Sequence, residues 1–153
     1  MPEGEGIGGG DGLAHGPAPV TEGEWAGWQS WIGDTFEDHT GPFYFREEPD
    51  GSIRCAFRAG PRHMNGSGDM HGGCMLTFAD YALFMIGNKA MDGRAVTVSL
   101  NGEFVGPAGL GDLVEATGEV VRAGGSLIFM RGLISTGGRP VMTFSGVVKR
   151  LKR

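Results

Sequence analysis

One carboxylate in the middle of the sequence has the type and position to do chemistry. Asp80 lies two turns into a long apolar run, residues 74–87. An ionisable group is costly to bury unless it is paired or hydrogen-bonded. We therefore expect Asp80 to be paired, protonated or functional. A buried acidic residue satisfied by its neighbours is the structural alternative.

The apolar run begins with a glycine-rich sequence, His71-Gly72-Gly73. The first N–H groups of a helix have no partner within the helix and carry a partial positive charge. Because glycine has no side chain, a ligand can approach these N–H groups closely. They could stabilise the oxyanion of an acyl transfer, with Asp80 as the nucleophile or as the general base for water. Asn65 could orient a water molecule or a carbonyl without titrating.

The spacing of these groups along one helix sets a geometric condition. Gly72 and Asp80 are eight residues apart in the sequence. This corresponds to about 12 Å at the rise of an α-helix. Within one subunit they cannot both contact the same carbonyl carbon. If they act together, Asp80 must come from a second copy of the helix across a two-fold axis, and the protein must be a dimer.

The elements that must position these groups form an α+β pattern. Residues 73–90 predict one long buried helix, because they are hydrophobic on nearly every side. Runs with alternating or aromatic apolar residues, separated by Gly- and Pro-rich turns, predict strands before and after it. These strands are residues 43–46, 52–58, 95–104, 112–121, 127–135 and 140–149. The last four should form an antiparallel meander, with the helix covering one face of the sheet.

The N-terminal part of the chain differs in composition. Residues 1–20 are mainly Gly, Pro and Glu, so a flexible tail is predicted there. Thr21 and Glu24 have the spacing of a capping box, and large apolar side chains follow at helical intervals. An amphipathic helix is therefore predicted over residues 22–33. The remainder, residues 21–153, is predicted to be a single domain.

Composition narrows the class of protein. A chain of 153 residues suits one domain, and its formal net charge of −5 disfavours nucleic-acid binding. No apolar run approaches the roughly 20 residues of a membrane span, so no membrane association is predicted. The N-terminus shows no secretory signal pattern. Cys55 and Cys74 are expected to be buried free thiols in a reducing cytoplasm.

A family resemblance covers residues 43–150 and rests on the order of the motifs. The order runs from Asn65 through His71-Gly72-Gly73 to Asp80, then to the strand at 96–101, Pro107-Ala108 and Gly111-Asp112. This pattern resembles the hot-dog-fold acyl-CoA thioesterases of the phenylacetate-pathway and thioesterase-superfamily-member-2 type. The resemblance implies an antiparallel sheet wrapped around a long central helix, and a sheet that continues from one subunit into the next.

The same resemblance implies roles for individual residues. Gly72 N–H would polarise the thioester carbonyl, and Asp80 from the partner subunit would be the nucleophile or the general base. Asn65 would position water or the carbonyl, and Thr97 would form a hydrogen bond near the attacking water. His71 would orient the loop or contact the thioester, and Gly73 is a candidate substrate-binding residue. The Gly124-Gly125-Ser126 turn matches the region that lines the coenzyme A groove in that family.

The sequence therefore predicts a cytoplasmic homodimer or homotetramer that hydrolyses an acyl-CoA. Coenzyme A enters as part of the substrate, and neither a cofactor nor a metal is expected. The Trp-rich segment before the first strand departs from many relatives and could cover the acyl pocket, so the acyl group is not predicted. The basic residues Lys149, Arg150, Lys152 and Arg153 could be a solvated end or could contact the phosphates of coenzyme A. Lys149 and Arg150 are the candidate substrate-binding residues of this group.

Other functions remain open at this point. A hot-dog hydratase or dehydratase would use His71 and Asp80 as acid and base, but its Asp-x-Asn-Pro-x-His pattern is absent. A non-catalytic acyl-CoA binder is a second alternative. A metal site formed by His63, Asp69 and His71 is disfavoured, because their spacing matches none of the strong zinc patterns.

Overall fold

A computed structural model describes residues 15–152 and shows that the predicted strands are present. The helices are α1 (Thr35–Thr40), α2 (Gly72–Ile86) and α3 (Asn88–Met91). The strands are β1 (Gly16–Pro19), β2 (Gln29–Ile32), β3 (Tyr44–Glu47), β4 (Ile53–Arg58), β5 (Ala95–Phe104), β6 (Leu113–Ala123), β7 (Leu127–Thr136) and β8 (Arg139–Arg150). The six predicted strands correspond to β3–β8, with only small differences at their ends.

The strands form one antiparallel sheet with the order β1-β2-β3-β4-β6-β7-β8-β5. The predicted meander is confirmed for β6, β7 and β8, which are consecutive in the sheet. It is wrong for β5, which pairs with β8 rather than with β6. The connection after β5 returns the chain across the molecule, and Gly111 N–H donates to Ala59 O beside β4. This return places β6 next to β4 and leaves β5 at the edge of the sheet.

Helix α2 packs against the sheet and supplies much of the core. The side chains of Phe78, Ala82 and Leu83 are fully buried, as expected for a helix that is apolar on most sides. The predicted helix is interrupted at Gly87, whose N–H donates to Leu83 O, and α3 follows as a separate short turn. A Cβ at position 87 would lie 2.6 Å from the Met130 sulfur and 3.0 Å from Leu83 O, so glycine avoids crowding there.

The predicted N-terminal helix over residues 22–33 is wrong. Gly23, Gly27 and Gly33 have φ values of +77°, +89° and +91°, which L side chains rarely adopt and which interrupt a right-handed helix. The segment instead forms a turn followed by β2. Trp25 and Trp28 still pack against each other, and Trp25 stacks on Tyr44 at a centroid distance of 4.3 Å. The periodicity of aromatic residues therefore reflected packing but not helical structure.

The predicted flexible tail also ends earlier than residue 20. Gly16–Pro19 forms β1, which pairs with β2 in antiparallel register. Residues 1–14 of the predicted tail lie outside the described residues. None of the helices between residues 15 and 152 is long and apolar enough to cross a membrane. The architecture is the predicted one, an antiparallel sheet wrapped around one long helix.

Candidate active site

Asp80 and Thr97 meet where the middle of α2 crosses the start of β5. The Thr97 hydroxyl donates a hydrogen bond of 2.6 Å to Asp80 Oδ1. Thr97 is placed there because it pairs with the fully buried Val148 of β8 and shares its helix-facing side of the sheet. A β-bulge follows at Thr97/Ser99, in a position where such irregularities often re-aim side chains. The bond uses one of the two carboxylate oxygens and fixes the orientation of Asp80.

The two residues line a cleft of about 920 Å³. The cleft is also lined by the apolar side chains Trp31, Phe84 and Met85 and by two carboxylates from the α1 region, Asp34 and Glu37. Its size and mixed lining are those of a small-molecule site. Asp80 is half-buried, so its carboxylate is accessible from the cleft.

Glu37 is a candidate that sequence reasoning missed. Burial, followed by the negative charges of Asp34, Asp80 and Asp38, raises the pKa of Glu37 from 4.5 to about 7. Asp34 caps α1, because its Oδ1 accepts a hydrogen bond of 3.0 Å from Glu37 N–H. The Asp34-x-x-Glu37 spacing is a helix-start signal that could have placed Glu37 on a separate helix.

The start of α2 presents a backbone donor. His71 Nδ1 accepts a hydrogen bond of 2.8 Å from Gly73 N–H, so the proton of a neutral His71 ring lies on Nε2. Gly72 N–H has no hydrogen-bond partner within residues 15–152. It is the free donor at this helix start, whereas Gly73 N–H is already used. The Phe104 ring would lie 3.2 Å from a Cβ at position 72, so glycine allows the close packing seen here.

Asn65 organises the loop that precedes α2. Its Oδ1 accepts hydrogen bonds from Ser67 N–H and Asp69 N–H, at 2.9 and 3.2 Å. The side chain is exposed, and its amide nitrogen is not used by these two bonds. Asn65 therefore holds the loop through its oxygen and can offer its NH₂ group to a ligand.

The predicted site residues fall into separate groups within one chain. Asp80 and Thr97 are together, but His71 and Gly73 line a different cavity of about 590 Å³ with Cys74 and Thr77. Because Gly72 and Asp80 belong to the same helix, their separation is about 12 Å, as predicted. A single chain therefore does not bring the backbone donor and the carboxylate to one carbonyl group, and His71 and Asp80 do not form an acid–base pair within it.

The third group of candidates surrounds the β6–β7 turn. Arg150 Nη1 donates to Gly124 O and Gly125 O at 2.5 and 2.9 Å, and Arg150 Nε donates to Ala90 O at 2.7 Å. The Arg150 backbone N–H also donates to Ser126 O at 2.8 Å. Arg150 thus ties the turn to the end of α3. Lys149 is exposed.

Two further sequence features have structural explanations. His63 is buried, with Nδ1 accepting from Gly60 N–H at 2.9 Å and Nε2 lying 2.6 Å from Thr40 O. Both ring nitrogens are therefore used by the fold. No group of three or more His, Cys, Asp or Glu side chains in the described part of the chain could hold a metal ion. Burial raises the pKa of the Cys74 thiol to about 11, and Cys55 and Cys74 are both free.

The fold and the motifs around α2 define the class of protein. The family model of the thioesterase superfamily matches residues 67–143, from the loop before α2 into β8. The chain therefore belongs to the thioesterase superfamily. The predicted class, a thioester hydrolase, is confirmed by this membership.

Individual relatives refine the comparison. PA0474 of Pseudomonas aeruginosa, provisionally named an esterase, is 33% identical over 112 residues, which are 72% of this chain and 84% of that protein. A variant of the phenylacetic acid degradation protein PaaI from Thermus thermophilus is 28% identical with a TM-score of 0.68, covering 77% of this chain and 100% of that one. BH2602 from Bacillus halodurans, solved with CoA, is 30% identical with a TM-score of 0.66, covering 71% and 74%. The predicted resemblance to phenylacetate-pathway proteins is confirmed.

Proposed function

We propose that this protein hydrolyses the thioester bond of an acyl-CoA and releases a free acid and coenzyme A. The observation that carries the proposal is the Asp80 carboxylate, oriented by Thr97 at 2.6 Å in a cleft large enough for an acyl group. Membership of the thioesterase superfamily supports the reaction class. The structure of BH2602 with CoA, from a relative 30% identical to this chain, supports the choice of coenzyme A as the leaving group.

In the proposed reaction, Gly72 N–H binds the carbonyl oxygen and Asp80 begins the attack. As a general base, Asp80 takes a proton from water while the water oxygen bonds to the carbonyl carbon. As a nucleophile, it bonds to that carbon itself and water hydrolyses the resulting anhydride. In both routes the carbonyl oxygen gains negative charge, the carbon–sulfur bond breaks, and the coenzyme A thiolate takes up a proton. Asn65 orders the loop that presents Gly72.

The proposed site is shared between two subunits. Gly72 and Asp80 are too far apart within one helix to serve one carbonyl group. Among residues 15–152, strand β5 pairs on one side only, with β8, and is the last strand of the sheet. Its other side could therefore pair with a second copy. Val96 and Val98 on this edge are 41% and 51% exposed, which favours further burial. A two-fold contact here would bring the helices of two subunits toward each other.

Thiol release measured against a panel of aromatic and straight-chain acyl-CoAs tests the proposed activity. We expect the wild-type protein to release thiol from some members of the panel, and Asp80→Asn to lose this activity. The matched control is Asp50→Asn, which changes an exposed carboxyl in the β3–β4 turn.

Two outcomes would contradict the proposal. Binding of acyl-CoA without thiol release would indicate a non-catalytic binder. Loss of an enoyl double bond without thiol release would indicate a hydratase. Release of thiol by the control but not by Asp80→Asn would support the hydrolase.

A further inference from the structure

Glu37 lies on the wall of the cleft that contains Asp80, although the two residues are far apart in the sequence. Helix α1, which carries Glu37, is held at both ends. Asp34 Oδ1 accepts from Glu37 N–H at 3.0 Å, and Gly41 N–H donates to Glu37 O at 2.6 Å. This short helix contacts α2. The half-buried Glu37 side chain is therefore presented to the cleft by a fixed piece of backbone.

The charged groups around Glu37 come from several elements. Asp34 and Asp38 lie on or beside its own helix, and Asp80 acts on it from α2. Glu37 and Asp38 also line a small cavity beside the buried Tyr81. The other titratable groups of the large cleft are His15, Lys89, Asp92 and Arg94. Lys89 pairs with Glu47 at 3.2 Å.

This environment makes Glu37 a titrating group at neutral pH. Burial is the main cause of the raised pKa of about 7, and the charges of Asp34, Asp80 and Asp38 add to it. A carboxyl that changes its charge near pH 7 inside an active cleft can control the chemistry of a neighbouring carboxylate.

We infer that Glu37 is a positioning residue that acts on Asp80 through its charge. When ionised, it favours the passage of negative charge from Asp80 to the thioester oxygen. The inference deepens the proposed function and rests on it. The repulsion between Glu37 and Asp80 is mutual, because the charge of Asp80 acts on Glu37 across the same distance.

The direction of the effect follows from where charge moves during the reaction. In the starting state, Asp80 carries a negative charge beside Glu37. In the transition state, Asp80 is receiving a proton or an acyl carbon, and the charge moves to the carbonyl oxygen at the backbone donor of the other subunit. Ionised Glu37 therefore destabilises the starting state more than the transition state, which lowers the barrier. Turnover should rise as Glu37 loses its proton.

The test compares kcat against pH from 6 to 8.5 for the wild type and Glu37→Gln, with thiol release followed by a pyridyl disulfide reagent. The wild-type kcat should rise roughly three- to tenfold through pH 7, as expected for a nearby like charge. Glu37→Gln should have a flat profile close to the wild-type value at pH 6, with little change in KM. Glu37→Asp, which keeps the charge, should retain part of the rise. Glu22→Gln, a change at an exposed position before β2, is the control and should behave as the wild type.

Each other result has a definite meaning. If Glu37→Gln had the same kcat and the same pH profile as the wild type, the inference would be overturned and the proposed function would stay intact. A wild-type rate that falls through pH 7 and is flat in Glu37→Gln would also overturn it, since Glu37 would then be a proton donor. No thiol release by the wild type at any pH would contradict the proposed function and remove the basis of the inference.

Discussion

The start and the middle of α2 carry the two halves of the proposed site. The half at the start uses a backbone group, and the half in the middle uses side chains. At the start, the functional group is a backbone N–H, Gly72, whose neighbour Gly73 is already bonded to His71. In the middle, the functional groups are side chains, with Asp80 oriented by Thr97. The first half depends on the conformation of one turn of the chain. The second half depends on charge.

This difference determines how each half can fail. A backbone donor survives changes of its own side chain, provided that the N–H remains and the helix still begins at the same residue. A carboxylate loses its function when one of its oxygens is replaced by an NH₂ group, even when the fold is unaffected. Substitutions that remove either the backbone N–H or the negative charge, and leave the fold unchanged, can therefore test each half separately.

The largest effect should come from the charged half. Asp80→Asn keeps an oxygen that can accept the Thr97 hydrogen bond but removes the base or nucleophile. We expect kcat to fall by on the order of a hundredfold or more, with an unchanged melting temperature. Steady-state thiol release and thermal unfolding measure the two quantities. A folded Asp80→Asn variant with near-normal turnover would remove Asp80 from the mechanism.

The next effect tests whether the two halves come from different subunits. Gly72→Pro removes the backbone N–H at the first residue of α2, where proline is tolerated. His71, with ψ of 133°, already has the extended conformation that precedes proline. A Cβ at position 72 would lie 3.2 Å from the Phe104 ring in either variant, so Gly72→Ala controls for this crowding while keeping the N–H. Gly72→Pro should be nearly inactive, and Gly72→Ala should retain more activity.

Mixed dimers are then prepared in which one subunit carries Gly72→Pro, the other carries Asp80→Asn, and each subunit has a different tag. In a shared-site dimer, one site receives both lesions and the other receives neither. Mixed dimers should therefore recover about half of the wild-type activity if sites act independently. A site within one chain would give no recovery, because every site would carry one lesion. Doubly tagged dimers of each parent variant are the controls.

Local sequence patterns were sufficient to predict some parts of the structure, whereas parts that depend on distant contacts were not predictable. Helix α2 and strands β4–β8 were predictable because their apolar patterns are regular, and β3 was predictable from a short aromatic run. Asp80 was conspicuous because it interrupts an apolar run. The position of β5 beyond β8 was not predictable, since it depends on pairing between strands that are distant in the sequence. The role of Thr97 came only from the family resemblance, because a threonine in a strand carries no functional signal by itself.

The N-terminal region shows why local patterns can mislead. The spacing of its aromatic residues fits a helix, but three glycines with positive φ interrupt it. The helix predicted to end at Gly33 is followed directly by Asp34, which caps a different helix, α1. The spacing of Asp34 and Glu37 is the local signal for that separate helix. The raised pKa of Glu37 depends on burial and on Asp80, and neither can be read from the local sequence.

A smaller effect should distinguish two adjacent basic residues. The Arg150 guanidinium bonds three backbone carbonyl groups, so Arg150→Ala should lower the free energy of unfolding by about 1–2 kcal/mol. Lys149 is exposed, and Lys149→Ala should leave stability unchanged. If Lys149 contacts a phosphate of coenzyme A, its substitution should raise KM roughly twofold, and added salt should reduce the difference. Denaturant unfolding and KM at two salt concentrations test both statements. An unchanged KM would assign Lys149 to plain solvation.

The smallest effect should appear in stability against pH, and it requires no substrate. The pKa of Glu37 is raised from 4.5 to about 7 in the folded protein, mainly by burial. Well below pH 4.5 the carboxyl is protonated in both the folded and the unfolded state, and its relative contribution to stability is greatest. Between pH 4.5 and 7 the unfolded chain releases this proton while the folded chain retains it, so stability is lost as pH rises.

Glu37→Gln cannot ionise and should therefore differ from the wild type only at the higher pH. Its melting temperature should match the wild type near pH 4 and exceed it by a few degrees at pH 8. Glu22→Gln makes the same chemical change at an exposed position and should show no such crossover. A constant difference between Glu37→Gln and the wild type at all pH values would mean that Glu37 does not titrate with the fold. In that case the charge of Glu37 could not control Asp80 near pH 7, whatever the substrate.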